Sequence, residues 1–315
     1  MQASLGDVAA GYYGAGALRR NGPVAKAIAG AAQAAAARED LSLRRLKLRF
    51  NLGKQFFFNL HPSAGHVPLD QLQELGSRHE FCNTVPSHRV RALVELLTGP
   101  AGFRKVGEKY STSAHVVNER LNAKFIIGLD TSAPRVTVTK VSTSPLRAHY
   151  TALLGGPSQL DLRLKLHGYG VPTHDSMAQP AAQAVVAACN AIGIEAFAES
   201  AGDVHLPVGM RLATFRRKHK EIYEGAFRVG NKTVPLKISI KTLRDGKGGP
   251  RTEVSGTLPA ANADLAELLA AARRRGGGGE EQAEGGAGGE RCGTAWWAAV
   301  LRAVAAFAEA VNAQG

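Results

Sequence analysis

Basic residues at every second position are the clearest chemical signal in this chain. In "LDLRLKLHG", Leu160 to Gly168, four leucines alternate with Asp161, Arg163, Lys165 and His167. A period of two sends the two sets to opposite faces of a strand. "LRRLKLRFNL" repeats the pattern, with Arg45, Lys47 and Arg49 opposite Leu46, Leu48, Phe50 and Leu52. "TVPLKISIKTL" sets Lys237 and Lys241 opposite Leu236, Ile238 and Ile240. A fourth cluster, "FRRKHKEIY", holds Arg216, Arg217, Lys218 and Lys220, with His219 alongside. Such rows are suited to neutralising phosphates. Gathered on one sheet, they would repel one another unless anions lay between them. Left on separate sheets, each would be an ordinary solvated face. The sequence leaves both readings open.

Other chemistries find little support. There is no Cys-x-x-Cys or His-Glu-x-x-His spacing for zinc, no Gly-x-Ser-x-Gly elbow and no Gly-Lys-Ser/Thr phosphate loop. His61 and His66 in "HPSAGH" read as loop histidines. His79 and Glu80 are neighbours in sequence and so point apart in a strand. No catalytic residue, metal site or cofactor is expected. Were a metal to be held, Glu253, Asp161 and Glu80 would be the only carboxylates to consider.

These residues must be positioned by a chain of 315 residues with 44% hydrophobic and 21% charged content, the profile of a globular protein. The formal charge is +13. It is concentrated: residues 1–40 carry +1, 41–259 carry +14 and 260–315 carry −2. An acidic partner for the central region is the first expectation. Aromatic residues, at 6%, are too few for a surface built mainly on base stacking. Cys82, Cys189 and Cys292 are odd in number and far apart, which suggests a reducing, intracellular setting. No run approaches the roughly 18 apolar residues of a membrane span, so no membrane contact is expected.

The boundaries follow the charge. Residues 1–40 form an Ala/Gly-rich extension, with a helix expected over 23–38 and an organellar transit peptide as the other reading. Residues 41–259 form a basic α+β core, mainly antiparallel β-sheet with a few packing helices. A barrel or tunnel is the form that would unite its basic rows. Ser87 is expected to cap one helix, and Pro180 to open another that ends at Gly193. A turn is expected at Gly230–Asn231. Residues 260–275 form a helix, 276–293 a Gly/Glu-rich linker, and 294–315 an apolar helix. That last helix carries Trp296 and Trp297, and its apolar face must dock on its own domain or on a protein partner.

Two resemblances add to this. "RHEFCNTVPSHRVRALVELL", followed in order by "KYSTSAHVV", "RVTVTKV", "LDLRLKL", "LPVG" and "EVSGTL", is similar to a plant and algal domain family with no assigned activity. The likeness spans about residues 43–259 and implies boundaries rather than mechanism. The "DLRLKL" type of strand, with its charges turned inward, resembles those of tunnel-fold RNA triphosphatases. That resemblance implies triphosphate bound by inward Arg and Lys and a metal held by paired Glu-x-Glu strands. This sequence contains no Glu-x-Glu. An anion-binding tunnel without hydrolysis therefore fits better than an active triphosphatase.

The leading expectation is a non-enzymatic RNA- or polyanion-binding domain. Its contacts would be Arg45, Lys47, Arg49, Arg163, Lys165, His167, Arg216, Arg217, Lys218, Lys237 and Lys241. The alternatives are a divergent tunnel-fold phosphohydrolase and a protein-interaction scaffold.

Overall fold

A computed structural model describes residues 9–14, 30, 43–57, 79–99, 101–118, 123–153, 159–170, 175–199, 206, 209–229, 232–245, 249–259, 262–263 and 294–314. Ten strands dominate. They are β1 (Ala9–Gly14), β2 (Leu43–Phe57), β3 (His79–Cys82), β4 (Arg104–Asn118), β5 (Ala123–Asp130), β6 (Thr137–Leu153), β7 (Asp161–Gly170), β8 (Met210–Val229), β9 (Lys232–Asp245) and β10 (Arg251–Thr257). Four helices accompany them: α1 (Ser87–Thr98), α2 (Asp175–Ile192), α3 (Ile194–Glu199) and α4 (Thr294–Ala313).

Apart from the parallel pair β1–β6, every ladder is antiparallel. The pairings run β6–β5–β4–β8–β9–β10–β2, and β7 pairs both β2 and β6. The ladders therefore lead back to their starting strand, which makes the sheet tunnel-like. This is the α+β, mainly antiparallel architecture expected from the sequence.

Alternation then decides what lies outside. Leu48, Phe50 and Leu52 of β2, Leu162, Leu164 and Leu166 of β7, and Leu236, Ile238 and Ile240 of β9 share one hydrophobic core with α1 and α4. Phe307 of α4 is its hub, with ring centroids 6.0 Å from Phe50, 6.3 Å from Phe103 and 5.6 Å from Phe227. Phe50 in turn needs Gly256 on the adjoining strand, since a Cβ there would lie 2.0 Å from the ring. A second core joins Ala114, Val116, Phe125, Ile127, Leu212 and Phe215 of β4, β5 and β8 to α2 and α3. Helices thus cover the outer face on two sides.

Several local expectations are revised. Ser87 is the first residue of α1, not its cap: Pro86 holds the cap position without a side-chain hydrogen bond. Helix α2 begins five residues before Pro180, which lies within its second turn. It ends before Gly193, whose φ of 82° is the left-handed value favourable to glycine. Val229 pairs with Lys232 at the end of the β8–β9 ladder, and the turn expected at Gly230–Asn231 lies outside the described residues. Helix α4 docks on its own sheet, burying Val300, Leu301, Val304, Phe307 and Val311. Asn312 clips it to the start of β7, accepting from Leu160 N at 2.8 Å and donating to Leu160 O at 3.0 Å. The Trp296 and Trp297 side chains, His61, His66, Cys292, and the helices expected over 23–38 and 260–275, save Gly30, Asn262 and Ala263, lie outside what the structure describes. Among the described residues, no helix is long and apolar enough to cross a membrane.

Candidate polyanion-binding tunnel

With leucines and isoleucines facing the helices, the alternate residues of the same strands face inward. Register arranges them in rows across the strands, with neighbours about 4.8 Å apart. One row runs Lys109, Lys220, Lys241 and Glu253 over β4, β8, β9 and β10. Another runs Lys237, Thr257, Arg49 and Lys165 over β9, β10, β2 and β7. Between them lies a row of Ile222, Ser239, Ser255, Asn51 and Arg163. In this middle row Ser239, Ser255 and Asn51 are buried polar groups.

Electrostatics shows that the rows converge. Burial, then the charge of Arg49, pushes the Lys220 ammonium down to about 8, and Lys218, Lys109 and Lys237 add to the effect. Burial brings Lys241 to about 8 as well. Glu253 opposes that fall, while Arg49, Lys220 and Lys218 reinforce it. Lys218 is lowered by burial and by Arg49, with Arg216 and Lys140 contributing and Glu253 opposing. Strand β8 is hydrogen-bonded to neither β2 nor β6. Arg49 and Lys140 therefore reach Lys218 across the interior, where like charges in a desolvated space raise the free energy of one another.

The carboxylates on inward positions include Asp245 of β9, which lies 3.1 Å from Arg216 and 2.6 Å from Arg251. Asp161, 1% exposed, accepts from Gln55 N at 3.0 Å and lies 3.3 Å from Lys54 Nζ. Glu224 pairs with Lys237. Glu253 lies in register with Lys241 and 3.9 Å from Arg251. Glu80 is on β3, beyond the end of this row system. Among the described residues no three His, Cys, Asp or Glu groups gather as a metal cradle. The inner donor set, mostly ammonium and guanidinium, fits an anion and not a carboxylate-held divalent ion.

Most of the residues singled out by alternation come together here. Lys47, Arg49, Arg163, Lys165, Arg216, Lys218, Lys237 and Lys241 occupy inward positions, and Lys220 joins them. Arg45 and His167 share the same register face, though their side chains are outside the described set. Arg217 does not join: it lies on the outer face, 2.6 Å from Glu195 of α3. His219 is also outside, 3.3 Å from Glu108 and stacked on Tyr110 at 4.5 Å. Sequence reasoning overlooked Lys109 and Lys140, neither of which belongs to a run of bases at every second position. It also overlooked Phe81, whose ring lies 4.2 Å from the guanidinium carbon of Arg163.

No family model matches the chain, so the likeness of residues 43–259 to the plant and algal family has no support beyond its motifs. No curated protein matches it either. Among solved structures, the chain is similar to the S. pombe Pct1 RNA triphosphatase, at 14% identity over 80% of this chain and 84% of that one, with a TM-score of 0.42. The same enzyme in complex with the Spt5 CTD gives 14% identity, coverage of 81% and 84%, and a TM-score of 0.40. A Bacillus halodurans chain provisionally described as an adenylate cyclase gives 12% identity, coverage of 64% and 90%, and a TM-score of 0.22. Scores this low carry no weight for activity. The tunnel-like reading rests on the chain's own circuit of strand pairings.

Proposed function

We propose that this chain binds a linear polyanion, RNA or a free phosphate chain, through phosphates held inside the tunnel. The supporting observation is the convergence of Arg49, Lys218, Lys220 and Lys241 on one interior, with both Lys220 and Lys241 brought to about 8. An entering phosphate would remove the mutual repulsion and restore the charged form of each lysine, so binding and protonation reinforce one another. Ammonium and guanidinium groups dominate the described inner rows, and such contacts are suited to phosphate rather than sequence.

A phosphohydrolase is the second reading, favoured by one observation: Glu253 stands in the same row as Lys109, Lys220 and Lys241. A single carboxylate there gives a lone donor for a divalent ion, which is why binding is placed first.

The test is binding of the full chain to a labelled single-stranded RNA with a 5′-triphosphate, from about 50 to 200 mM salt, with tripolyphosphate as competitor. An affinity loss of roughly a thousandfold, with displacement by tripolyphosphate, is expected of a protein neutralising several phosphates. Salt-insensitive binding would overturn the proposal. Phosphate release dependent on a divalent ion would move the hydrolase reading to the front.

A further inference from the structure

The sheet changes character along β4. Residues Arg104 to Ser111 are exposed or half-buried, and burial begins at Thr112. Pairing with β5 begins at the same residue, with Thr112 opposite Leu129. Over Arg104–Ser111 the strand is held by β8 on one side. Among the described residues, no strand pairs with that stretch on the other side. Here, therefore, the wall of the tunnel ends in a free edge.

An outward row of side chains stops at this edge. Thr252, Thr242, His219 and Tyr110 stand side by side on β10, β9, β8 and β4. The Tyr110 and His219 rings stack with centroids 4.5 Å apart and planes 13° from parallel. One face of Tyr110 is thus taken by the imidazole, yet the residue is 76% exposed. Its other face looks into solvent, where a side chain of a further strand would otherwise lie. A flat aromatic group placed there would extend the stack at the spacing of neighbouring strands. The residues on either side of Tyr110, Lys109 and Ser111, point inward, in register with Lys220 and Lys218. Both are exposed as well, so the inner face is open to solvent at this edge. Lys109 lies near enough to Lys220 to help hold that ammonium below its ordinary range. On the outer side Lys105 is shared by Glu108 and Glu221, and Glu108 also meets His219, so the charges beside Tyr110 are already matched.

We infer that Tyr110 is a stacking platform for a nucleobase. A nucleotide crosses the free edge of β4, with its phosphates inside against Lys109 and Lys220 and its base outside on the open face of the Tyr110 ring. Adjacent residues of one strand reach opposite faces, so a single ligand can touch both Lys109 and Tyr110 only at an edge that no further strand covers. Stacking tolerates any base, because every base has a π-face. The site therefore distinguishes a nucleotide from a bare phosphate chain, and not one base from another. This inference rests on the polyanion reading above and adds that the phosphate chain recognised carries a nucleoside.

The experiment measures the affinity of the full chain at low salt for two probes, adenosine triphosphate and tripolyphosphate. Tyr110→Ala should weaken binding of adenosine triphosphate about tenfold, the loss of one base–aromatic stack, and leave tripolyphosphate within about twofold. Tyr110→Trp, which keeps an aromatic ring at the position, should retain the nucleotide affinity. The purine H2 and H8 resonances should move upfield on binding to the wild-type protein, as stacking on a ring requires, and lose that shift with Tyr110→Ala. An unchanged adenosine triphosphate affinity in Tyr110→Ala, or an equal loss for both probes, would overturn the platform. Wild-type binding of tripolyphosphate would leave the polyanion reading intact in either case. Wild-type protein that binds neither probe would overturn both.

Discussion

The run Arg216–Lys220 contains two different kinds of charge, separated only by the alternation of β8. On the outer face, Arg217 has Glu195 and His219 has Glu108, and the nearby Lys105 is held above its ordinary range by Glu108 and then Glu221. On the inner face, Lys218 and Lys220 face Arg49 and other cations in a desolvated space and titrate below theirs. These outer charges have carboxylate partners within the fold, as do Lys237 and Arg216 of the inner face, paired with Glu224 and Asp245. The charges of Lys218 and Lys220 are opposed instead by neighbouring cations, and that difference, rather than basicity as such, is what the proposal of an inner binding surface rests on.

The comparison can be sharpened first on β7, where hydrocarbon and charge alternate residue by residue. Leu164, fully buried against the helices, should cost about 3 kcal/mol when truncated in Leu164→Ala, by loss of burial and creation of a cavity. Lys165→Ala, one position on, should cost under about 1 kcal/mol. Urea unfolding of the two variants reads the difference. Equal costs would mean that the inner face contributes to stability like a core, contrary to the account.

A comparable effect is expected in binding. The double variant Lys220→Gln/Lys241→Gln should lose roughly a hundredfold in affinity for tripolyphosphate, given about 1.5–3 kcal/mol for each charge-assisted contact. Arg217→Gln, on the other side of the same strand, should stay within about twofold. Titration calorimetry at fixed salt decides between them. A larger loss from Arg217→Gln would place the ligand on the outer face.

Much of this is legible in sequence wherever a strand repeats its pattern for several periods. "LDLRLKL" and "LRRLKLRF" show both faces at once, and their charged sets do share an interior. The run "FRRKHKEIY" is less informative, because four bases and a histidine in five positions conceal which parity faces inward. Arg217 groups with Arg216 and Lys218 in sequence for that reason, and Glu195, which claims it, is 22 residues away in α3. Lys109 and Lys140 give no signal because neither stands in a run of bases at every second position. They acquire a role only when non-local pairing sets them opposite other cations. Phe81 is hidden likewise: "HEFC" looks like any short strand until Gly53 brings it across β2. The circuit of strands, which carries the whole reading, is a property of register that one sequence does not display.

The smallest expected effect is on stability against pH. In the unfolded chain Lys220 and Lys241 titrate near 10.5, and in the fold near 8. Between those values the unfolded state holds more protons, so stability rises with pH. Cys189, pushed up to about 11 from 9.0 by burial, has the opposite sign above pH 9. The gain should therefore be read from pH 7.5 to 9, at roughly 1 kcal/mol after screening. It should disappear in the double glutamine variant, and tripolyphosphate affinity in the wild type should fall over the same range. A flat or falling stability would mean that the inner ammonium groups are already neutralised within the fold.

The most direct test of a ligand-requiring inner face is lysine acetylation at pH 8, followed residue by residue by mass spectrometry with and without tripolyphosphate. Lys220 and Lys241, half-deprotonated at that pH, should react quickly in the free protein and be protected when ligand is present. Lys105 on the outer face should react slowly in both conditions. If tripolyphosphate leaves the rates at Lys220 and Lys241 unchanged, the tunnel does not hold the anion and the central claim is wrong.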